Sequence, residues 1–191
     1  METIFHIDSD NILLDNINKL NYSKPNSYFV LNDWNDVHMT GSIHSGLTSK
    51  NLYEVFVDLY EDIFVNKSKL NLIQHKIDFH KANGGGGICD MTFFYLMNKL
   101  NLLENDNLLY PKIVDDSKVV FMTNYGNGEG FETRDQYLMQ GKFIKIFKDK
   151  KNTKNYIFDK KNNEYLQLMN IHFQGKAKKK MNNFLKYTAV Y

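Results

Sequence analysis

The chain has almost no cysteine, proline or arginine. Its one cysteine, Cys89, excludes an internal disulfide and fits a reducing compartment. Prolines occur only at Pro25 and Pro111, so few breaks are imposed on regular structure. Arg134 is the single arginine among 24 basic residues, which leaves positive charge to lysine. The guanidinium fork that favours bidentate phosphate and base recognition is therefore nearly missing. Net charge is only +2, and a nucleic-acid-binding protein built around Lys176 and Lys178 to Lys180 ranks last among the function classes. No apolar run reaches membrane-spanning length. Glu2, His6 and Asp8 stand where a secretory leader needs a basic start and an unbroken apolar stretch. These absences predict a cytoplasmic protein without a membrane span.

What is present is a chain able to bury a core. Of 191 residues 42% are hydrophobic, with 14 Phe and 12 Tyr, and a single domain over 1–191 is expected. Asparagine supplies about one residue in eight, well above ordinary usage.

The most informative segment is the start. Ile4-Phe5-His6-Ile7 runs apolar into Asp8-Ser9-Asp10, so a buried strand over 3–7 ends in two carboxylates one residue apart, an arrangement suited to a divalent cation. Any surface turn after a strand can carry Asp and Ser, which is the bland alternative. Near the other end a strand over 164–170 delivers His172-x-x-Gly175-x-x-Lys178. There an imidazole can ligate a borderline metal, while glycine and lysine take phosphates. The alternative is a strand-end histidine followed by a solvated lysine run.

Between these ends, Asn11 to Leu20 reads as loop or short helix, and Tyr28 to Leu31 as a buried strand. Asn32 to Val37, with Trp34, is a polar connection, and His38 to His44 a strand ending at Ser45-Gly46. Ser49 is placed to cap a helix reaching about Val65, with Leu52, Val55, Phe56, Leu59, Tyr60 and Phe64 at helical spacing. Residues 66–83 are partly helical. Gly84 to Gly87 form a connection without the ending of a phosphate loop. A buried helix then opens at Cys89 or Asp90 and runs to about Leu103. Asp90 reads equally as an N-cap and as a carboxylate aimed at a substrate. Strands follow at 118–123, 143–147 and 156–158, with a turn at Tyr125 to Gly128, and an amphipathic helix over 178–187 closes the chain.

Read in order, Asp8-x-Asp10, Ser45-Gly46-Leu47, Asp90-Met91-Thr92 and His172-x-x-Gly175-x-x-Lys178 resemble the C-terminal part of a GT-A-fold glycosyltransferase. The last motif is similar to the His-x-x-Gly-x-x-Lys element of glycosyltransferase family 8 and of capsule and surface-glycan transferases. The resemblance implies an α/β fold, the C-terminal half of a GT-A domain, with a mixed sheet and flanking helices. It implies Asp8, Asp10 and His172 as ligands of Mn²⁺ or Mg²⁺, with Gly175 and Lys178 against the diphosphate of a nucleotide sugar, a UDP-sugar first. Ser45 and Gly46 would lie near donor sugar and acceptor, and Asp90 would contact sugar or acceptor, as the general base of an inverting route. The likeness to family 8 implies retention instead. The acceptor would be a glycan or a protein. The chain departs from the pattern in lacking Pro-Trp after the lysine, where Lys179-Lys180 stand. In a GT-A domain a base-binding half precedes the aspartates, so the resemblance also implies a separate polypeptide as partner. A non-catalytic remnant or binding module of the same fold is the second reading.

Overall fold

The computed structural model describes residues 2–31, 37–85, 87–122, 124–126, 136–151 and 153–188. The connection around Trp34, the Asn127-Gly128 end of the expected turn, and Arg134 lie outside these residues. The elements in chain order are β1 (Thr3–Ile7), β2 (Asn11–Leu13), a 3-10 turn (Ile17–Lys19), β3 (Asn26–Val30), β4 (Gly41–Ser49) and α1 (Lys50–Tyr60), which continues as a π turn (Glu61–Val65). Then come α2 (Asn71–Asn83), α3 (Asp90–Lys99), β5 (Asn105–Asn107), β6 (Lys112–Val114), β7 (Ser117–Phe121), β8 (Met139–Gln140) and β9 (Phe143–Ile144). β10 (Ile146–Lys148), β11 (Asn155–Asp159), β12 (Glu164–His172), a 3-10 turn (Gly175–Ala177) and α4 (Lys178–Thr188) complete the chain. The class is α/β with mixed sheets and four α-helices among the described residues. None of those helices is long and apolar enough to cross a membrane.

The fold divides into two compact units. The first comprises residues 1–6 and 22–107 and holds a four-stranded sheet in the order β1-β4-β3-β5. Its core joins Tyr28 and Val30 to Leu52, Leu59, Ile63 and Ile73, and to the run Phe93–Met97 on α3. That run is buried all round, which is why it reads as continuously apolar rather than striped. β5 is polar, and its asparagines act as extra backbone. Asn105 Oδ1 accepts from Tyr28 N at 2.9 Å, and Asn107 Oδ1 accepts from Val30 N at 3.0 Å.

Four expectations are corrected or refined in this unit. β1, expected as a buried strand, is largely exposed, with Ile4 64% exposed, because it is the edge strand of its sheet and β4 pairs with it on one side only. The strand expected over His38–His44 begins at Gly41 and runs through Ser45-Gly46 to Ser49, because a register shift against β3 lets the longer strand bulge and continue. Ser49 holds the N-cap position but donates its hydroxyl to Asn26 Oδ1 at 3.0 Å instead of capping α1. The N-cap of α3 is Cys89, so Asp90 is no cap. It stands in the first turn, where its charge suits the helix dipole.

The second unit comprises residues 7–21 and 108–191. Its main sheet runs β10-β11-β12-β7-β6, with β2 added to β12. The nine-residue β12 is central. β11 pairs antiparallel with its first half, β2 pairs antiparallel with its last three residues, and β7 runs parallel on the other edge. Val120, Leu166, Leu168, Ile171 and Phe173 form the core, with Met181 and Phe184 of α4 packed on it. Asn11–Leu20, expected as loop or short helix, opens as a strand, and only Ile17–Lys19 turns helically. The strand expected over 143–147 divides at Lys145: residues 143–144 pair with β8, and residues 146–148 with β11.

Candidate metal centre

The chain's two informative segments meet because β2 docks on the end of β12. Asn11, Ile12 and Leu13 pair with His172, Ile171 and Asn170. One bond beyond each end extends the ladder: Phe173 N donates to Asp10 O at 2.8 Å, and Leu14 N donates to Met169 O at 2.9 Å. Before β2 the backbone turns tightly, with Asn11 N donating to Asp8 O at 3.1 Å. This turn brings Asp8 and Asp10 to the side chain of His172. One ligand atom from each of the three lies within 4.8 Å of the others.

Asp10 is the centre of the group. Its Oδ1 is 3.3 Å from His172 Nε2, and its Oδ2 accepts from Lys178 Nζ at 2.8 Å. The His172 side chain is 9% exposed and that of Asp10 16%, while Asp8 is exposed. Burial pulls the Asp10 carboxyl pKa upward. The Lys178 hydrogen bond and the charges of His172 and Lys178 outweigh it and hold the group below the ordinary carboxylate range. Lys178 is raised in turn, first by that hydrogen bond and then by the Asp10 charge, with a smaller pull from Asp8.

Gly175 earns its place by conformation. Its φ of +55° lies in the left-handed region, and it opens the 3-10 turn that leads into α4. The turn closes as Lys178 N–H donates to Gly175 O, and Lys178 begins the helix with its ammonium on Asp10.

The donor set suits a divalent cation of borderline character: two carboxylates and an imidazole leave positions for water or for ligand oxygens. Neighbouring ligands on an octahedral metal with bonds of about 2.1 Å sit about 3 Å apart. The 3.3 Å between Asp10 Oδ1 and His172 Nε2 is close to that spacing.

Two supporting residues carry no motif. Asn170 is fully buried; its Nδ2 donates to Asn11 Oδ1 at 2.6 Å and to Met122 O at 3.2 Å, and its Oδ1 accepts from Met122 N at 2.7 Å. It fixes β2 and the residue just after β7 to β12, two residues before His172. A polar residue inside the apolar run Leu168-Met169-Asn170-Ile171 is the signal that would have found it. Tyr125 N–H donates to His172 O at 2.8 Å and anchors the strand end from the other edge.

Ser45, Gly46 and Asp90 belong to the first unit. Ser45 is fully buried there. A Cβ on Gly46 would overlap the Ser27 carbonyl oxygen, so strand packing alone requires glycine. Asp90 is exposed at the start of α3.

No family model matches the chain, and neither a curated protein nor a solved structure does.

Proposed function

We propose that this chain carries the metal and diphosphate site of a GT-A-type glycosyltransferase, using a nucleotide sugar, a UDP-sugar first, to modify a glycan or a protein. One observation carries the reading. Donors from residues 8, 10 and 172, separated by most of the chain, converge within 4.8 Å, and Lys178 reaches the same carboxylate. The resemblance assigns these same residues to metal and diphosphate.

In this reading Asp8, Asp10 and the imidazole of His172 hold Mn²⁺ or Mg²⁺. A divalent cation there would neutralise charge building on a departing diphosphate. Lys178 contributes a second positive charge beside it. Gly175 turns the backbone so that the lysine falls at the start of α4. The low exposure of Asp10 and His172 keeps water from weakening these electrostatics.

A second reading, a binding module of the same type without turnover, draws on the first unit. Ser45 is fully buried and Gly46 is explained by its approach to Ser27, which leaves neither residue dedicated to a sugar.

Calorimetric titration of Mn²⁺ and then UDP tests the proposal, comparing the natural chain with Asp8→Ala and His172→Ala. Mn²⁺-dependent UDP binding lost in both variants supports it. Mn²⁺ binding unchanged in both variants, or UDP binding indifferent to Mn²⁺, overturns it. Hydrolysis of UDP-sugars by the Mn²⁺-loaded chain separates the enzyme from the binding module.

A further inference from the structure

We infer that Lys178 is a tethered counter-ion that occupies Asp10 while the metal is absent and transfers to the diphosphate when metal and nucleotide arrive, coupling the binding of the two. This rests on the metal and diphosphate reading above and adds to it how the site is regulated.

Both oxygens of Asp10 are engaged: Oδ1 faces His172 Nε2 at 3.3 Å, and Oδ2 accepts from Lys178 Nζ at 2.8 Å. A carboxylate this sheltered is costly to leave uncompensated, and the ammonium compensates it. A dication bound by the same carboxylate repels that ammonium at short range. Lys178 is free to go, because its side chain is 60% exposed on a flexible stem.

The start of α4 indicates where it goes. Lys178, Lys179 and Lys180 crowd the first turn, and no acidic residue accompanies them. A helix N-terminus carries partial positive charge and favours anions, so three lysines there have the wrong sign for helix stability. A bound diphosphate removes that conflict by supplying negative charge to the lysines. Metal alone displaces Lys178 without giving it a new partner, and nucleotide alone must draw it away from Asp10. Together each removes the other's cost, which is positive and reciprocal coupling.

The test is calorimetry with MnCl₂ alone, and then with UDP at saturating Mn²⁺ after correction for Mn²⁺–UDP association in solution. The natural chain is compared with Lys178→Gln, Lys178→Arg and the neighbour Lys179→Gln. Lys178→Gln should bind Mn²⁺ about three- to tenfold more tightly and UDP about tenfold more weakly, with the coupling between them reduced. Lys178→Arg should keep the natural pattern. Lys179→Gln should change Mn²⁺ affinity by less than about twofold, since surface charge away from a contact is screened. Mn²⁺ affinity unchanged or lowered in Lys178→Gln, or a Lys179→Gln effect of equal size, overturns the counter-ion role and leaves the metal reading intact. Absence of Mn²⁺ binding in both the natural chain and Lys178→Gln overturns the metal reading, and this inference with it.

Discussion

The Asn170 carboxamide donates to Asn11 Oδ1 at 2.6 Å while pairing through both of its ends with the backbone of Met122. One buried side chain thereby joins the strand that directly follows Asp10 to the strand that carries His172. Asn170→Ala leaves the Asn11 amide oxygen and the Met122 backbone groups without these partners. At about 0.5–1.5 kcal/mol net for each of the three hydrogen bonds removed, a loss of about 1.5–4.5 kcal/mol is expected. Urea denaturation measures it. Mn²⁺ affinity should fall with the stability, because the two ligand-bearing segments lose their shared anchor. A variant as stable as the natural chain would show that the β2–β12 ladder suffices without the amide.

The ends of the site were legible in the sequence, and the resemblance joined them in one site, but the strand pairing that brings them together was not legible. Asp8, Asp10, His172, Gly175 and Lys178 stand out by residue type and spacing, and strand 3–7 and the helix from Lys178 follow from apolar pattern. The element that joins them, β2, is three residues long, too short for alternation to register. Its pairing with β12 is a contact between positions about 160 residues apart, which no local signal encodes. The short polar strand β5 was hidden for another reason: its asparagines pair through side chains with the β3 backbone, where sequence patterns lead one to expect a loop.

Gly46 separates packing from sugar binding. A Cβ there meets the Ser27 carbonyl oxygen on the adjacent strand, and backbone cannot yield as a flexible side chain can. Gly46→Ala should cost at least about 1–3 kcal/mol, the range for overpacking a filled site. Thermal melting reads this directly. If the variant melts with the natural chain but loses nucleotide-sugar binding, the glycine serves the ligand and the strand approach is incidental.

Stability should fall in acid partly through Asp15. Its Oδ1 accepts from Lys19 Nζ at 2.8 Å and Asn16 N at 2.7 Å, and its Oδ2 accepts from Gln167 Nε2 at 2.6 Å. Burial pulls the pKa up, and these hydrogen bonds together with the Lys19 charge hold it below the ordinary value of 3.8. The folded state thus binds this proton less readily than the unfolded state does. The stabilisation is present in full above the ordinary value and is lost as pH drops through it toward the depressed one. Asp15→Asn should therefore be less stable than the natural chain at neutral pH, with the gap closing in acid. Urea midpoints measured from pH 7 to 2 give the comparison, and a gap independent of pH would assign the loss to packing instead of charge.

The imidazole should decide which metal is preferred. Mg²⁺ and Ca²⁺ favour oxygen, whereas Mn²⁺ accepts nitrogen more readily, so a set of two carboxylates and His172 ought to select Mn²⁺. The buried position of His172 beside Asp10, with its backbone tied to Asn11 and Tyr125, leaves the ring little freedom to withdraw from the ion. The natural chain is expected to bind Mn²⁺ about tenfold more tightly than Mg²⁺ or Ca²⁺. His172→Asp replaces nitrogen with oxygen and should narrow that ratio mainly by weakening Mn²⁺, since an added carboxylate keeps its attraction for the harder ions. Competition titrations with the three chlorides on both chains measure the ratios. Equal affinities for all three ions in the natural chain would show that His172 does not ligate, and that its 3.3 Å approach to Asp10 serves only to orient the carboxylate.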